Sequence, residues 1–149
     1  MLCTGRMRIV HVAMEFAPIA KVGGLGEVVV GLSRELTRVG ETVEVILPKY
    51  DFISPHALKN LQLEIPEFSS FEGGNQISNA MWSAEAEGCK LYLLESHHPE
   101  KYFERGQIYG CLDDVPRFLY FCRAVVEYLK KTNAPIDVLH LHDWHVAAI

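Results

Sequence analysis

Apolar residues along the chain follow two different spacings, which predicts a mixture of strands and helices. Residues 8–13, 42–47 and 136–141 are short runs rich in β-branched and apolar side chains, as in buried strands. From Glu27 the apolar residues recur at helical spacing, and Gly40 is suited to end that helix. Its predicted apolar stripe consists of Leu25, Val28, Val29, Leu32, Leu36 and Val39. A strand, a loop, a helix and a second strand in this order form the repeating unit of a parallel sheet.

The second half of the chain carries one further long helix. Asp113 and Asp114, followed by Pro116, predict its first turn. The predicted stripe consists of Val115, Phe118, Leu119, Cys122, Val125, Val126 and Leu129. After the strand at 136–141, Asp143 predicts the start of another helix.

The middle of the chain has a weaker pattern. Residues 50–75 contain two prolines and a Gly-Gly pair, which predicts irregular chain with at most one short strand. Residues 76–82 and 90–94 predict two strands around a turn at Gly88. Residues 96–114 mix polar and aromatic side chains without a regular period, which predicts a second long loop.

Composition narrows the class of protein. At 149 residues, 49% hydrophobic and 22% charged, the chain fits one globular domain rather than a disordered or membrane protein. A net charge of −5 without a basic stripe argues against a nucleic-acid partner. The four cysteines have no C-x-x-C spacing and predict free thiols in a reducing compartment: Cys3, Cys89, Cys111 and Cys122. With no signal-peptide or membrane-span pattern, we expect a cytoplasmic protein or one of the plastid stroma.

A glycine-rich loop, Lys-Val-Gly-Gly-Leu-Gly at 21–26, separates the first strand from the first helix. Ligands of open α/β sheets bind beyond the carboxyl ends of the strands, where glycines permit close approach and a helix N-terminus favours anions. With the charge of Lys21, this suits a diphosphate; a turn that simply requires glycines explains the composition equally well. A P-loop fits badly because its lysine follows the glycines, and a dinucleotide fingerprint fits badly because Val29 takes its third glycine position.

Five short motifs then resemble one known family. Residues 21–27 resemble the K-x-G-G-L-G/A-D signature of glycogen and starch synthases, and Glu-Phe-Ala-Pro at 15–18 resembles the E-x-x-P that precedes it. Residues 47–51 are similar to the P-x-Y after the family's second strand, and residues 109–118 to its Y-G…D-x-x-x-R-F stretch. His-Leu-His-Asp-Trp-His at 140–145 resembles its H-x-H-D-W motif. The Lys-Val-Gly-Gly form is similar to plant starch synthases III and IV and related bacterial sequences. The five matches occur in the family's order and cover nearly the whole chain.

The resemblance implies an α/β fold with a Rossmann-like parallel sheet, the incomplete N-terminal half of a GT-B glycosyltransferase. Residues 1–149 would be the truncated acceptor-side domain, and the C-terminal nucleotide-sugar domain would lie outside them. The implied reaction transfers glucose from ADP-glucose to the non-reducing end of an α-1,4-glucan, with retention and with neither metal nor cofactor. The implied partners are therefore ADP-glucose and the glucan, with no nucleic acid and no membrane.

The same resemblance implies roles for individual residues. Lys21 would contact the nucleotide phosphates, and Gly23 and Gly24 would allow close approach of the backbone. Glu27 stands where the family has Asp, so its carboxylate is displaced by one methylene. Tyr109 would either line the donor and sugar pocket or anchor its loop. His142 would contact the transferred sugar, and Asp143 would cap the following helix.

The histidines at 140–145 also have a reading that needs no family. His140 and His142 share one face of a strand and His145 follows one helical turn later, so the three could bind a metal. Because no carboxylate or cysteine joins them at a fixed spacing, packing or capping is favoured for His140 and His145. Trp144 could stack on glucan, although a large aromatic after a strand favours the core.

Glycosyl transfer needs groups that stabilise the leaving diphosphate. In the family the Arg and the Lys that neutralise the phosphates, together with a key Glu, lie in the second half, and no residue of this chain matches them. We therefore expect residues 1–149 alone to be inactive and incompletely folded. The alternative is a non-catalytic glucan-binding or regulatory module derived from such an enzyme. A nucleotide-binding oxidoreductase is disfavoured because the dinucleotide fingerprint fails.

Overall fold

A six-stranded sheet forms the centre of the structure, a computed structural model that describes residues 5–149. The strands are β1 (Arg8–Val12), β2 (Thr42–Pro48), β3 (Lys59–Glu72), β4 (Asn75–Ala86), β5 (Cys89–Ser96) and β6 (Val138–Leu141). Their order across the sheet is β3-β4-β5-β2-β1-β6. The four strands from β5 to β6 pair in parallel, while β3 and β4 pair antiparallel. The sheet is thus mostly parallel, which confirms the predicted α/β fold class.

Two helices, α1 (Gly24–Arg38) and α2 (Asp114–Thr132), enclose two separate apolar clusters on the two faces of the sheet. Val29 and Val30 of α1 pack with Val45 and Leu93, whereas α2 packs against the opposite sides of β1 and β2. Alternate residues of a strand face opposite sides, so the parallel strands are apolar on both faces. That double burial explains their continuous apolar runs.

Two expectations from composition can be compared with the fold. No helix within residues 5–149 is long and apolar enough to cross a membrane. Cys89, Cys111 and Cys122 are free thiols, as expected, while Cys3 lies outside the described residues.

Helix α1 begins three residues earlier than predicted and buries a different face. Gly26, Val29, Val30 and Ser33 face the core, whereas Val28 is 58% and Val39 64% exposed. Gly26 determines this face, because a Cβ there would lie 3.1 Å from the backbone nitrogen of Ala17. Ser33 tolerates burial since its hydroxyl donates to the carbonyl of Val29 at 2.7 Å. Close backbone packing, which apolar periodicity does not record, selected the face.

Helix α2 likewise departs from its predicted stripe. Val115 and Leu119 are exposed, while Arg117 and Tyr120 are fully buried. The guanidinium of Arg117 contacts the Asp114 carboxylate at 2.6 Å and donates to the carbonyl of Tyr102. The hydroxyl of Tyr120 bonds to side chains of β3, β4 and β5. Polar partners supplied by distant segments therefore allowed polar groups to replace the predicted apolar ones.

The prediction of irregular chain over residues 50–75 is wrong for most of that range. β3 occupies 14 residues there, after a short 3-10 turn at Pro55–Ala57. β3 is the edge strand, so few of its side chains are buried, and Pro66 lies in a stretch of register shifts where no ladder donor is required. Gly73 and Gly74, with φ of +55° and +84°, form the two-residue hairpin turn to β4.

Candidate functional site

The carboxyl ends of β1, β2 and β6 bring the predicted functional segments to one edge of the sheet. The backbone nitrogen of His142 donates to the carbonyl of Val12, and that of Ala13 donates to the carbonyl of Ile46. The loop at residues 13–23 and the end of β6 therefore leave the sheet side by side. Parallel strands dictate this arrangement, because all their carboxyl ends lie at the same edge.

Glu15 holds the glycine-rich loop in place. Its carboxylate is 3% exposed and accepts hydrogen bonds from the backbone nitrogens of Val22 at 2.8 Å and Gly23 at 3.0 Å. The other carboxylate oxygen accepts from the hydroxyl of Tyr109 at 2.8 Å. Burial alone would raise the pKa of Glu15, but the bonds from Gly23, Val22 and Tyr109 hold it below its usual range. A buried ionised carboxylate is thus fully engaged in shaping the loop.

Tyr109 connects this loop to the segment after β6. Its ring stacks on that of His145 with centroids 4.8 Å apart, while its hydroxyl is bound to Glu15. Burial, and then the neighbouring Glu15, raise the pKa of Tyr109. His145 also packs against Phe118, as the predicted packing role requires, and burial lowers its pKa. Of its two predicted roles, Tyr109 fills that of loop anchor here, and a contact with ligand stays a prediction.

Lys21 and Glu27 form an exposed ion pair at the mouth of the loop. The Lys21 ammonium lies 2.5 Å from the Glu27 carboxylate, with side chains 42% and 59% exposed. Gly23 and Gly24 are exposed, and a Cβ on either would meet nothing within 4 Å. Their predicted close approach to a ligand stays a prediction, because within the protein it is Gly26 that needs to be glycine. The N-cap residue of α1 is Gly23, which has no side chain, and the Glu15 carboxylate accepts from its amide.

Asp143 performs the predicted capping at the end of β6. Its carboxylate accepts from the backbone nitrogen of Trp144 at 2.6 Å, and its φ is +70°. The segment it caps is a 3-10 turn at Trp144–Val146 within the described part of the chain, not an α-helix. Trp144 is 58% exposed, so the core position favoured from sequence is wrong.

His142 contacts two other histidines, His11 and His140. Its Nε2 is 2.7 Å from Nδ1 of His11, which is fully buried in β1. Its ring stacks on His140 with centroids 4.0 Å apart and planes within 13°. Burial, followed by the nearby rings, lowers the pKa of His11 to about 4, and burial with His140 lowers that of His142 to about 4. Both imidazoles are therefore neutral near pH 7.

The same three histidines are the described groups with ligand atoms near enough to consider for a metal. One ligand atom of each of His11, His140 and His142 lies within 4.8 Å of the others, whereas His145 turns away to Tyr109. The triplet considered from sequence is therefore not the one that assembles. The hydrogen bond between His11 and His142 occupies a nitrogen of each ring, and the parallel stack does not aim His140 and His142 at a common point. The arrangement favours a hydrogen-bonded imidazole cluster.

A sequence profile of the starch synthase catalytic domain matches residues 8–149. The chain belongs to the glycogen and starch synthase family. It is 46% identical over 143 residues to a glycogen synthase of Protochlamydia amoebophila, a match that covers 96% of this chain and 29% of that protein. It is 43% identical over 141 residues to a probable starch synthase 4 of Arabidopsis thaliana, covering 95% of this chain and 14% of the relative.

A solved starch synthase structure has the same fold. The catalytic domain of starch synthase IV from Arabidopsis thaliana, bound to ADP and acarbose, superposes with a TM-score of 0.92 at 42% identity. The match covers 97% of this chain and 29% of that structure. The chain thus spans about 29% of the length of that synthase catalytic domain. Members of the family are glycosyltransferases that make glycogen and starch.

The sequence alone does not mark two residues of this site, Glu15 and His11, as functional groups. In the sequence Glu15 is visible only as part of a family motif, and His11 only as one position of a buried strand. A histidine in a continuous apolar run was the available signal for His11. Using it required the strand order, because His11 and His140 become neighbours only when β6 pairs with β1.

Proposed function

We propose that the full-length protein is a glucan synthase that transfers glucose from ADP-glucose to the non-reducing end of an α-1,4-glucan with retention. In this proposal residues 1–149 supply the acceptor-side part of a GT-B enzyme, and a C-terminal nucleotide-sugar domain outside them completes the cleft. The reaction uses neither metal nor cofactor, and the enzyme works in the cytoplasm or the plastid stroma.

One observation carries the proposal: a cationic glycine loop and a neutral histidine leave the sheet at the same edge. Lys21, beside the exposed backbone of Gly23 and Gly24 at the start of α1, suits the diphosphate of a nucleotide sugar. His142, neutral and oriented by its neighbours, suits a sugar hydroxyl, since its Nε2 is bound to His11 and its Nδ1 is left for a ligand. The starch synthase structure of the same fold, bound to ADP and acarbose, supports a nucleotide and a glucan-like ligand at this kind of cleft.

Within the proposal this chain binds and orients rather than completing the chemistry. The groups that neutralise the leaving diphosphate would come from the second domain, so we expect residues 1–149 alone to show no transfer. The competing candidate is a non-catalytic glucan-binding module. The exposed Trp144 beside the site favours it to the extent that its ring offers a stacking surface for a sugar.

The test is incorporation of labelled glucose into glycogen by the full-length protein, with ADP-glucose and UDP-glucose compared as donors. Transfer from ADP-glucose, with retention of the anomeric configuration, is the expected result. Glucan binding without transfer from either donor would replace the synthase by the binding module.

A further inference from the structure

His11 is a buried titratable residue to which the proposed reaction assigns no role. It lies in the middle of β1, with no exposed surface, on the face opposite Val10 and Val12. Its Nδ1 bonds to Nε2 of His142, and its Nε2 has no polar partner among residues 5–149. A buried polar ring among the apolar residues Ile9, Val10 and Val12 needs a compensating interaction, and the bond to His142 is the one it has within residues 5–149.

The bond between the two rings restricts where their protons can be. Both imidazoles are neutral near pH 7, so each carries one N–H, and only one proton lies between Nδ1 of His11 and Nε2 of His142. If His11 donates, its Nε2 is a bare lone pair and Nδ1 of His142 carries a proton. If His142 donates instead, Nε2 of His11 becomes a buried N–H with no acceptor among the described residues.

The first arrangement is the better one, because orphaned buried N–H groups are the rarer kind in proteins. It also determines what a ligand meets. Nδ1 of His142 makes no hydrogen bond to residues 5–149. Unlike Nε2 of His11, it is not buried away from solvent. The stack on His140 fixes the plane of the ring, so this nitrogen has a defined direction.

We infer that His11 is a positioning residue: it donates to Nε2 of His142 and thereby makes Nδ1 of His142 a hydrogen-bond donor toward a hydroxyl oxygen of the transferred sugar. The inference deepens the proposed function and rests on it for the identity of the ligand. The class of ligand is a hexose, since Nδ1 of His142 offers one directed N–H to a hydroxyl oxygen. His11 itself touches no substrate.

The direct test reads the tautomer of His142 by long-range proton–nitrogen NMR of the full-length protein labelled with ¹⁵N-histidine. A His142→Gln variant assigns the signals by their loss. The expected result is a protonated Nδ1 and an unprotonated Nε2 on His142. A protonated Nε2 would overturn the inference. Because this spectrum needs no turnover, it decides the inference even if the protein proves not to transfer glucose.

Kinetics of two His11 variants supply the second test. His11→Phe fills the buried space without a donor, whereas His11→Asn places an amide N–H near the former Nδ1. We expect His11→Phe to lower kcat/KM for ADP-glucose about tenfold, the effect of one lost hydrogen bond, while the Kd for ADP, which lacks the sugar, stays unchanged. His11→Asn should recover most of the activity.

A variant of the exposed His56, His56→Phe, controls for the change of residue type. Equal losses of kcat/KM in His11→Phe and His11→Asn would mean that His11 is only a packing residue. A loss of ADP affinity in His11→Phe as large as its loss of kcat/KM would mean the same. Unchanged kcat/KM in His11→Phe would also overturn the inference.

Discussion

Lys21 stands alone among the residues of the glycine loop in carrying a positive charge, and its pair with Glu27 is exposed on both sides. Exposed ion pairs contribute little to stability, so the pair can open for a diphosphate at small cost. We expect Lys21→Ala to reduce kcat/KM for ADP-glucose by one to two orders of magnitude, roughly the value of one charge-assisted phosphate contact, without changing the midpoint of thermal unfolding.

Lys130→Ala is the matched control for this prediction. Lys130 also forms an exposed pair, with Glu127 at 2.9 Å on α2, far along the chain from the loop. Steady-state kinetics of both variants provide the measurement. A similar loss in both would assign the effect to overall charge, and full activity of Lys21→Ala would remove the phosphate role.

Glu15 is the residue on which the loop geometry depends. Replacing it by alanine leaves the amides of Val22 and Gly23 and the hydroxyl of Tyr109 without their acceptor. We expect Glu15→Ala to lower the free energy of unfolding by roughly 2–3 kcal/mol, and Glu15→Gln, which keeps one acceptor oxygen, by less. Urea denaturation of both variants measures the difference, and equal stabilities of Ala and Gln would contradict the role of the carboxylate oxygens.

At the scale of secondary-structure elements, Arg117 of α2 holds the long loop at residues 97–113 against the helix by hydrogen bonds. Its side chain is fully buried, is paired with Asp114 and donates to the carbonyls of Tyr102 and Ile108. Removing one partner of such a pair leaves the other charge uncompensated. We expect Arg117→Ala to lower the free energy of unfolding by roughly 3–5 kcal/mol.

Arg123→Ala, an exposed arginine on the same helix, should change stability by less than about 0.5 kcal/mol. Denaturant titrations of the two variants form the comparison. If both variants unfolded at the same midpoint, the loop would be held by its aromatic contacts rather than by the buried guanidinium.

Most elements of the fold could be predicted from sequence, because their apolar runs report burial directly. β1, β2, β4, β5, β6 and the two helices occur where the patterns placed them, with shifts of a few residues at the ends. β3 could not be predicted in the same way, since an edge strand buries little and Pro66 imitates a loop. The predicted helix faces were wrong for another reason. Gly26 packs against the backbone of Ala17 and Arg117 donates to the carbonyl of Tyr102, and only the tertiary structure supplies these partners.

The residues of the candidate site also divide into those that the sequence indicates and those that only the tertiary structure reveals. Lys21 could be singled out because its glycine loop follows a strand, whereas the role of His142 comes from the family resemblance, and both roles stay predictions. His11 could not be predicted as a functional residue, since no neighbouring residue in the sequence distinguishes a functional histidine in a strand from a packed one. His142 comes next to His11 only because β6 pairs with β1.

At the scale of the whole molecule, acid should destabilise the fold. The pKa values of His11 and His142 are about 4 in the folded state and 6.5 in the unfolded chain, so the unfolded chain binds more protons between these values. Stability is fully present above pH 6.5 and falls as pH drops toward 4, by on the order of 3 kcal/mol for each histidine. Glu15, with a lowered pKa, adds a further loss at still lower pH.

Chemical denaturation at pH 7.5, 6, 5 and 4.5 measures this dependence. A variant with both His11 and His142 replaced by asparagine should be less stable at neutral pH but should lose much less stability on acidification. A wild-type unfolding free energy that stays constant down to pH 5 would contradict the lowered pKa values.

The position of β1 in the sheet has a consequence for biosynthesis. Ile9 of β1 pairs with Val138 of β6, whereas β3 pairs with β4 and β4 with β5, each its immediate successor. A ribosome adds about 5–20 residues per second, so one edge of β1 waits on the order of ten seconds for its partner while the β3–β5 meander can already close. An open strand edge is a template for association with other chains. Among the strand pairs of the described residues, β1 and β6 are thus the two made furthest apart in time, and we expect β1 to need protection from such association while the chain is synthesised.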